Sequence, residues 1–294
     1  MGRALLLLAA VGVIVGLCSV DRAAAHADSP RLQHVTLIGD SVATAISLDT
    51  YAKQIVGQGV DLDLEVSACR RLEDQSCPPN PPTAIQLIKS LGTSIGPNVV
   101  IAVGYNDYED RYAGAIADTL QALAAVGVKR VFWLTLRAQH HGYLTMNDDI
   151  VAAAQTHPGM TVIDWNRYSR SHPDWFQPDG IHLVAGGEIA MAKLVHLRLV
   201  EAGVALAPVQ IGSTRLPEAR RGKRYRARLA ARSGEAPYRW SLVTRLPAGL
   251  RLGASGTIAG TPKRVDLAAT FVFVVRVRDA AGQTATRTLR LRLR

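Results

Sequence analysis

The run Val99-Val100-Ile101-Ala102-Val103 is apolar at every position and is closed by Gly104. A short, β-branched run of this kind reads as a strand covered on both faces, which is the situation of strands in a parallel sheet. Related short strand-like runs occur at residues 35–38, 62–66, 131–136 and 161–163. Helix-like segments separate them at residues 41–54, 83–91, 113–125, 144–155 and 185–202, with Ile85, Ile88 and Leu91 on one face of the second. Five strands alternating with helices predict an α/β unit, and right-handed crossovers narrow its topology. The expected architecture is a flavodoxin-like three-layer parallel sheet of order 2-1-3-4-5.

The pattern changes beyond residue 206. Tyr225, Ala227 and Leu229 alternate with Arg224, Arg226 and Arg228. Phe271, Phe273, Val275 and Val277 share one side of a strand, and Leu289, Leu291 and Leu293 alternate with Arg290, Arg292 and Arg294. Turn signals such as Leu246-Pro247-Ala248-Gly249 and Asp279-Ala280-Ala281-Gly282 separate these runs. Period-two alternation between turns predicts an all-β immunoglobulin-like sandwich over residues 207–294. Residues 28–206 form the preceding domain.

Charge divides at the same place. The whole chain carries a formal +10, but residues 28–206 are net acidic while residues 207–294 hold 19 Lys+Arg against 4 Asp+Glu. A field of that size attracts polyanions, so an anionic cell-envelope polymer is the expected partner of the second domain. The start of the chain suggests a compartment. Arg3, the apolar stretch 5–18 and the A-x-A spacing at residues 23–27 read as a signal peptide spanning residues 1–27, too short for a membrane span. A secreted or envelope-associated protein follows, and nucleic acid is not an expected partner. In that compartment Cys69 and Cys77, eight positions apart, are expected to form a disulfide.

Three segments carry candidate chemistry. Gly39-Asp40-Ser41 follows the first strand, Gly104-Tyr105-Asn106-Asp107 the third, and Asp179-Gly180-Ile181-His182 the fifth. In a parallel sheet all three reach the rim at the carboxyl ends of the strands, where ligands bind. A serine hydroxyl needs a neutral imidazole as base, and the imidazolium needs an anionic partner. The set therefore predicts acyl chemistry with Ser41 as nucleophile, His182 as base and Asp179 orienting it. Asp40 and Asp107 are expected to satisfy local backbone donors. His140 and His141 fall in the loop after the fourth strand, at the same rim, and Trp175 and Phe176 precede Asp179. No metal site or cofactor is expected.

These segments resemble those of the SGNH (GDSL-like) hydrolase family, over residues 35–202. The resemblance implies a serine esterase in which Ser41, His182 and Asp179 form the triad and Asn106 donates to the oxyanion with the Ser41 N–H. The family's further donor is the N–H of a glycine after the second strand. Here that stretch reads Ser67-Ala68-Cys69-Arg70-Arg71 without a glycine, and the N–H of Cys69 or Arg70, held by the disulfide, is the substitute. Residues 246–262 and 277–283 look like the cadherin-related Ig-like repeats of bacterial surface proteins. The implied substrate is an acetyl or short-chain ester, with an envelope polysaccharide as its carrier. An O-acyltransferase using the same site, or a non-catalytic surface-binding protein on a decayed hydrolase fold, are the alternatives.

Overall fold

The structure, a computed structural model, describes residues 32–78, 80–263 and 270–294. The expected signal peptide lies outside them. The first sheet is built from β1 (His34–Gly39), β2 (Asp61–Val66), β3 (Asn98–Ala102), β4 (Arg130–Leu134) and β5 (Met160–Ile163). All neighbours are parallel and the order is β2-β1-β3-β4-β5.

Helices cover both faces. On one side lie α1 (Ser41–Leu48), α2 (Thr50–Val56) and, after the last strand, a long helix Ala185–Glu201. Their Val42, Ile46, Val56, Leu194 and Val195 pack with Leu37, Val100, Phe132 and Leu134 of the sheet. The opposite layer holds α3 (Ala84–Leu91), α4 (Tyr112–Ala125) and α5 (His141–Thr156), and it meets Ile38, Val99, Ile101 and Trp133. Successive residues of each inner strand thus serve opposite cores, and for that reason their sequence shows no polar alternation. A short helix, α6 (Trp165–Ser169), leads from β5 toward the long helix, α7.

Local chemistry sets the helix starts. Asp40 and Asp49 accept from the N–H groups of Val42 and Ala52, capping α1 and α2. The second cap divides the single helix expected over residues 41–54 into two. Thr83 and Gln86 form a reciprocal capping box at the start of α3. Gly39 ends β1 where α1 folds back: a Cβ there would collide with the Cβ of Ala43.

Beyond α7 the strands are β6 (Gln210–Ile211), β7 (Tyr225–Arg228), β8 (Ala231–Arg232), β9 (Arg239–Leu242), β10 (Leu250–Leu252), β11 (Thr257–Gly260), β12 (Thr270–Arg278) and β13 (Thr284–Arg292). They form two three-stranded antiparallel sheets, β10-β11-β7 and β13-β12-β9, with β6 paired to β8. Tyr225, Ala227 and Ile258 from one sheet and Trp240, Phe273, Val275, Val277, Leu289 and Leu291 from the other fill one core. The intervening arginines are exposed, as period-two alternation requires. The result is the Ig-like sandwich expected from the sequence. Among the described residues no helix is long and apolar enough to cross a membrane.

Candidate active site

Parallel strands deliver the three segments to one rim. β1 ends at Gly39, and Ser41 is the first residue of α1. Asp40 is fully buried. Its Oδ1 accepts from Val42 N (3.0 Å), while its Oδ2 accepts from Gly104 N and Tyr105 N (3.1 Å each). Its own N–H reaches the carbonyl of Ala102 at 3.0 Å. One carboxylate therefore binds the ends of β1 and β3 together. Burial pushes its pKa up to about 6, against the lowering effect of the three donors.

His182 stands on the segment between β5 and α7. A turn closed by Gly180 N to Gln177 O (2.8 Å), with Gln177 N to His182 O (2.7 Å), folds that segment on itself. Gly180 has φ +70°, and a Cβ there would stand 2.8 Å from the Gln139 carboxamide carbon, so this position needs glycine on both counts. Asp179 Oδ1 accepts from Ile181 N (2.9 Å) and His182 N (3.0 Å). Its Oδ2 lies 2.6 Å from His182 Nδ1. These bonds, the one from Ile181 N foremost, lower the Asp179 pKa to about 2. An ionised carboxylate only accepts, so the imidazole proton sits on Nδ1 and Nε2 is free to accept. Nε2 lies 3.0 Å from Ser41 Oγ. About two-fifths of the His182 side chain is exposed.

The proposed oxyanion segments are stitched to each other. Arg71 Nε donates to the carbonyl of Asn106 (2.6 Å), and Leu72 N donates to Asp107 Oδ1 (2.9 Å). The Asn106 amide reaches the Arg70 carbonyl only at 3.5 Å, the outer limit of a hydrogen bond. Cys69 is joined to Cys77 and has φ +65°, a conformation in which glycine is the usual occupant. Thus the chain holds a cross-linked residue in the left-handed region within the stretch where a glycine was expected. Arg70 is buried, with its Nη1 on the carbonyl of Glu65.

The remaining expected residues divide. Asp107 is half-buried, its Oδ2 has no hydrogen-bond partner among the described residues, and burial pushes its pKa up to about 7. His140 lies against the ring of Tyr143, centroids 3.9 Å apart. Trp175 stacks on His172 at 3.8 Å and packs beside Trp165. Phe176 is buried beneath the Arg137 guanidinium, which stands 3.8 Å from the ring centroid. Arg137 also donates to the carbonyl of Ser169 (2.8 Å), and its N–H to Tyr105 Oη (2.7 Å). Arg71 and Arg137, which brace the Asn106 and His182 segments, were not singled out by sequence. A single arginine in a loop has no linear signature of what it will bind.

Comparison with known proteins places relatives on both halves. Residues 207–293 match the family model described as Putative Ig domain. The O-acetyltransferase OatA of Staphylococcus aureus is 28% identical over 164 residues, covering 54% of this chain and 24% of that protein. Among solved structures, the C-terminal catalytic domain of the Streptococcus pneumoniae peptidoglycan O-acetyltransferase A has a TM-score of 0.44 at 20% identity, covering 59% of this chain and 93% of that one. The carbohydrate acetylesterase Est24 of Sinorhizobium meliloti has a TM-score of 0.43 at 14% identity, covering 58% and 99%. The chain spans only 17% and 24% of the length of two curated relatives that it matches.

Proposed function

We propose that this chain is an exported serine enzyme of acyl esters, acting on acetyl or short-chain esters carried by an envelope polysaccharide. The reading rests on one observation: Ser41 Oγ within 3.0 Å of an imidazole nitrogen whose other nitrogen lies 2.6 Å from an ionised carboxylate. His182 Nε2 takes the hydroxyl proton as Ser41 Oγ bonds to the ester carbonyl carbon. The oxyanion is met by the Ser41 N–H, the Asn106 amide and an N–H of Cys69 or Arg70. Collapse returns the Nε2 proton to the departing sugar oxygen and leaves an acyl-Ser41. Water, deprotonated by the same imidazole, releases the carboxylic acid and restores the serine.

The likeness to O-acetyltransferases favours a second reading, in which a sugar hydroxyl replaces water in the last step. The two share every residue and differ only in the acceptor. Residues 28–206 would carry this chemistry, and residues 207–294 would hold the protein to an anionic polymer of the envelope. A protein that only binds surfaces would have no activated serine. Labelling with a fluorophosphonate tests this: modification of Ser41 supports the enzyme, and an unreactive Ser41 refutes it. Turnover of p-nitrophenyl acetate with and without an oligosaccharide acceptor then separates hydrolysis from transfer, by whether acetylated sugar accumulates.

A further inference from the structure

The outer face of the sheet β10-β11-β7 is a trough. Tyr225 and Ala227 are buried, so Arg224, Arg226 and Arg228 stand together on the outside of one edge strand. Register sets Arg226 beside Ala259 and Ala259 beside Arg251, and it sets Arg228 beside Thr257. The central strand thus offers only short side chains between two arginine-bearing strands. Arg224, Tyr225, Arg226, Ala259, Gly260 and Thr261 line a groove of about 530 Å³ on the β7–β11 side of this face, and Arg251 stands across β11 from it. Alternate residues of β7 repeat at ~6.8 Å, and two strand spacings of ~4.8 Å separate Arg226 from Arg251. That width suits one extended chain.

Among the described residues, Arg224, Arg226, Arg228 and Arg251 form no ion pair. Glu218 is occupied by Arg292 and Arg294 beside the other sheet, and Asp279 is buried against the N–H groups of Glu235 and Gln283. The exposed large apolar residues Leu242, Val243 and Val272 belong to that other sheet, so the trough lacks the apolar tips that a membrane-seated surface uses. It also lacks an exposed ring for stacking nucleobases, since Tyr225 points into the core. What it offers is a row of three guanidinium forks on the β7 side faced by the single fork of Arg251 on β10, and such forks match phosphate oxygens two at a time.

We propose that this trough seats one linear phosphodiester polymer of the polyol-phosphate type, with Arg226 and Arg251 gripping it from opposite sides. The proposal rests on the second domain being the part that holds the protein to an anionic polymer, and is independent of the chemistry at Ser41. The test uses the full chain and fluorescently labelled poly(glycerol phosphate), with affinity read by anisotropy across a salt series. Binding is expected to weaken steeply with salt, and Arg226→Glu with Arg251→Glu to weaken it roughly tenfold or more and flatten the salt slope. Arg276→Glu with Arg278→Glu, an equal change of charge on the other sheet, is expected to stay within about twofold, because exposed charges beyond a Debye length are screened. Arg226→Gln with Arg251→Gln should keep the same ordering without introducing carboxylates. Thermal melts and p-nitrophenyl acetate turnover should match the parent in all variants. Equal losses from both sheets, no binding by the parent, or equally tight binding to phosphatidylglycerol vesicles or single-stranded DNA would overturn the proposal.

Discussion

His182 Nε2 lies 3.0 Å from Ser41 Oγ, although the two stand 141 positions apart in the chain. The sheet order creates this proximity, because β1 is an inner strand and the segment after β5 folds back along the rim. A hydroxyl in hydrogen-bond reach of an imidazole is the arrangement that the proposed chemistry requires.

Ser41→Ala should therefore abolish turnover of a model acetyl ester and labelling by a fluorophosphonate. Asn106→Ala should keep the label but lose roughly 10²–10³-fold in kcat, the usual cost of one oxyanion donor. Steady-state kinetics on p-nitrophenyl acetate check both. A wild-type rate in Asn106→Ala would remove that side chain from the mechanism.

Asp179→Asn should preserve the turn, because an amide oxygen still accepts from Ile181 N and His182 N. The remaining NH₂ would face His182 Nδ1 and favour the tautomer with the proton on Nε2. Turnover should fall by about 10³–10⁴-fold with KM little changed. A loss of less than about tenfold would mean that the carboxylate has no part in orienting the base.

Replacing Cys69 and Cys77 together by alanine should lower stability by about 2–3 kcal/mol, the loop-closure value for so short a ring. The sharper expectation is kinetic. If the loop supplies an N–H to the oxyanion, kcat falls well below that of the parent while KM holds, at a temperature where both proteins are folded. Melting curves and kinetics measured together distinguish this from simple unfolding.

Stability should depend on pH through Asp107 and Asp40. Both folded-state pKa values, about 7 and about 6, lie above the ordinary 3.8, so the folded state binds more protons than the unfolded chain in between. Their contribution is complete below pH ~4 and declines as pH rises through 6–7. Asp179 acts oppositely: its pKa of about 2 makes its contribution disappear only in strong acid. Asp107→Asn retains an acceptor for Leu72 N, and should flatten the decline in Tm between pH ~4 and ~7 measured by calorimetry. An unchanged slope would mean that Asp107 is ionised throughout.

Much of this was legible in one dimension. Runs such as residues 99–103 announce strands covered twice, and the arginine–apolar alternation of β7, β12 and β13 announces a sandwich. Both cues are periodicities, which local composition determines. The meeting of Ser41, Asp179 and His182 was legible because their segments follow strands of one parallel sheet, and parallel strands share a rim. The break at Asp49 was not, because a capping aspartate competes with helix continuation by a margin that depends on tertiary packing. Nor was the seam of Arg71, Leu72, Asn106 and Asp107, since its bonds join two loops whose meeting only the folded sheet decides.

The three amides converging on Asp40 carry a corollary for this neighbour of Ser41. Both of its oxygens are already taken as acceptors, one by Val42 and the other by Gly104 and Tyr105. Asparagine, almost the same shape, would set a donor against a donor on one side and loosen the joint between two strand ends. The acid next to Ser41 is thus a rivet rather than a reagent, and its chemistry is spent on keeping Ser41 and the third-strand loop in register.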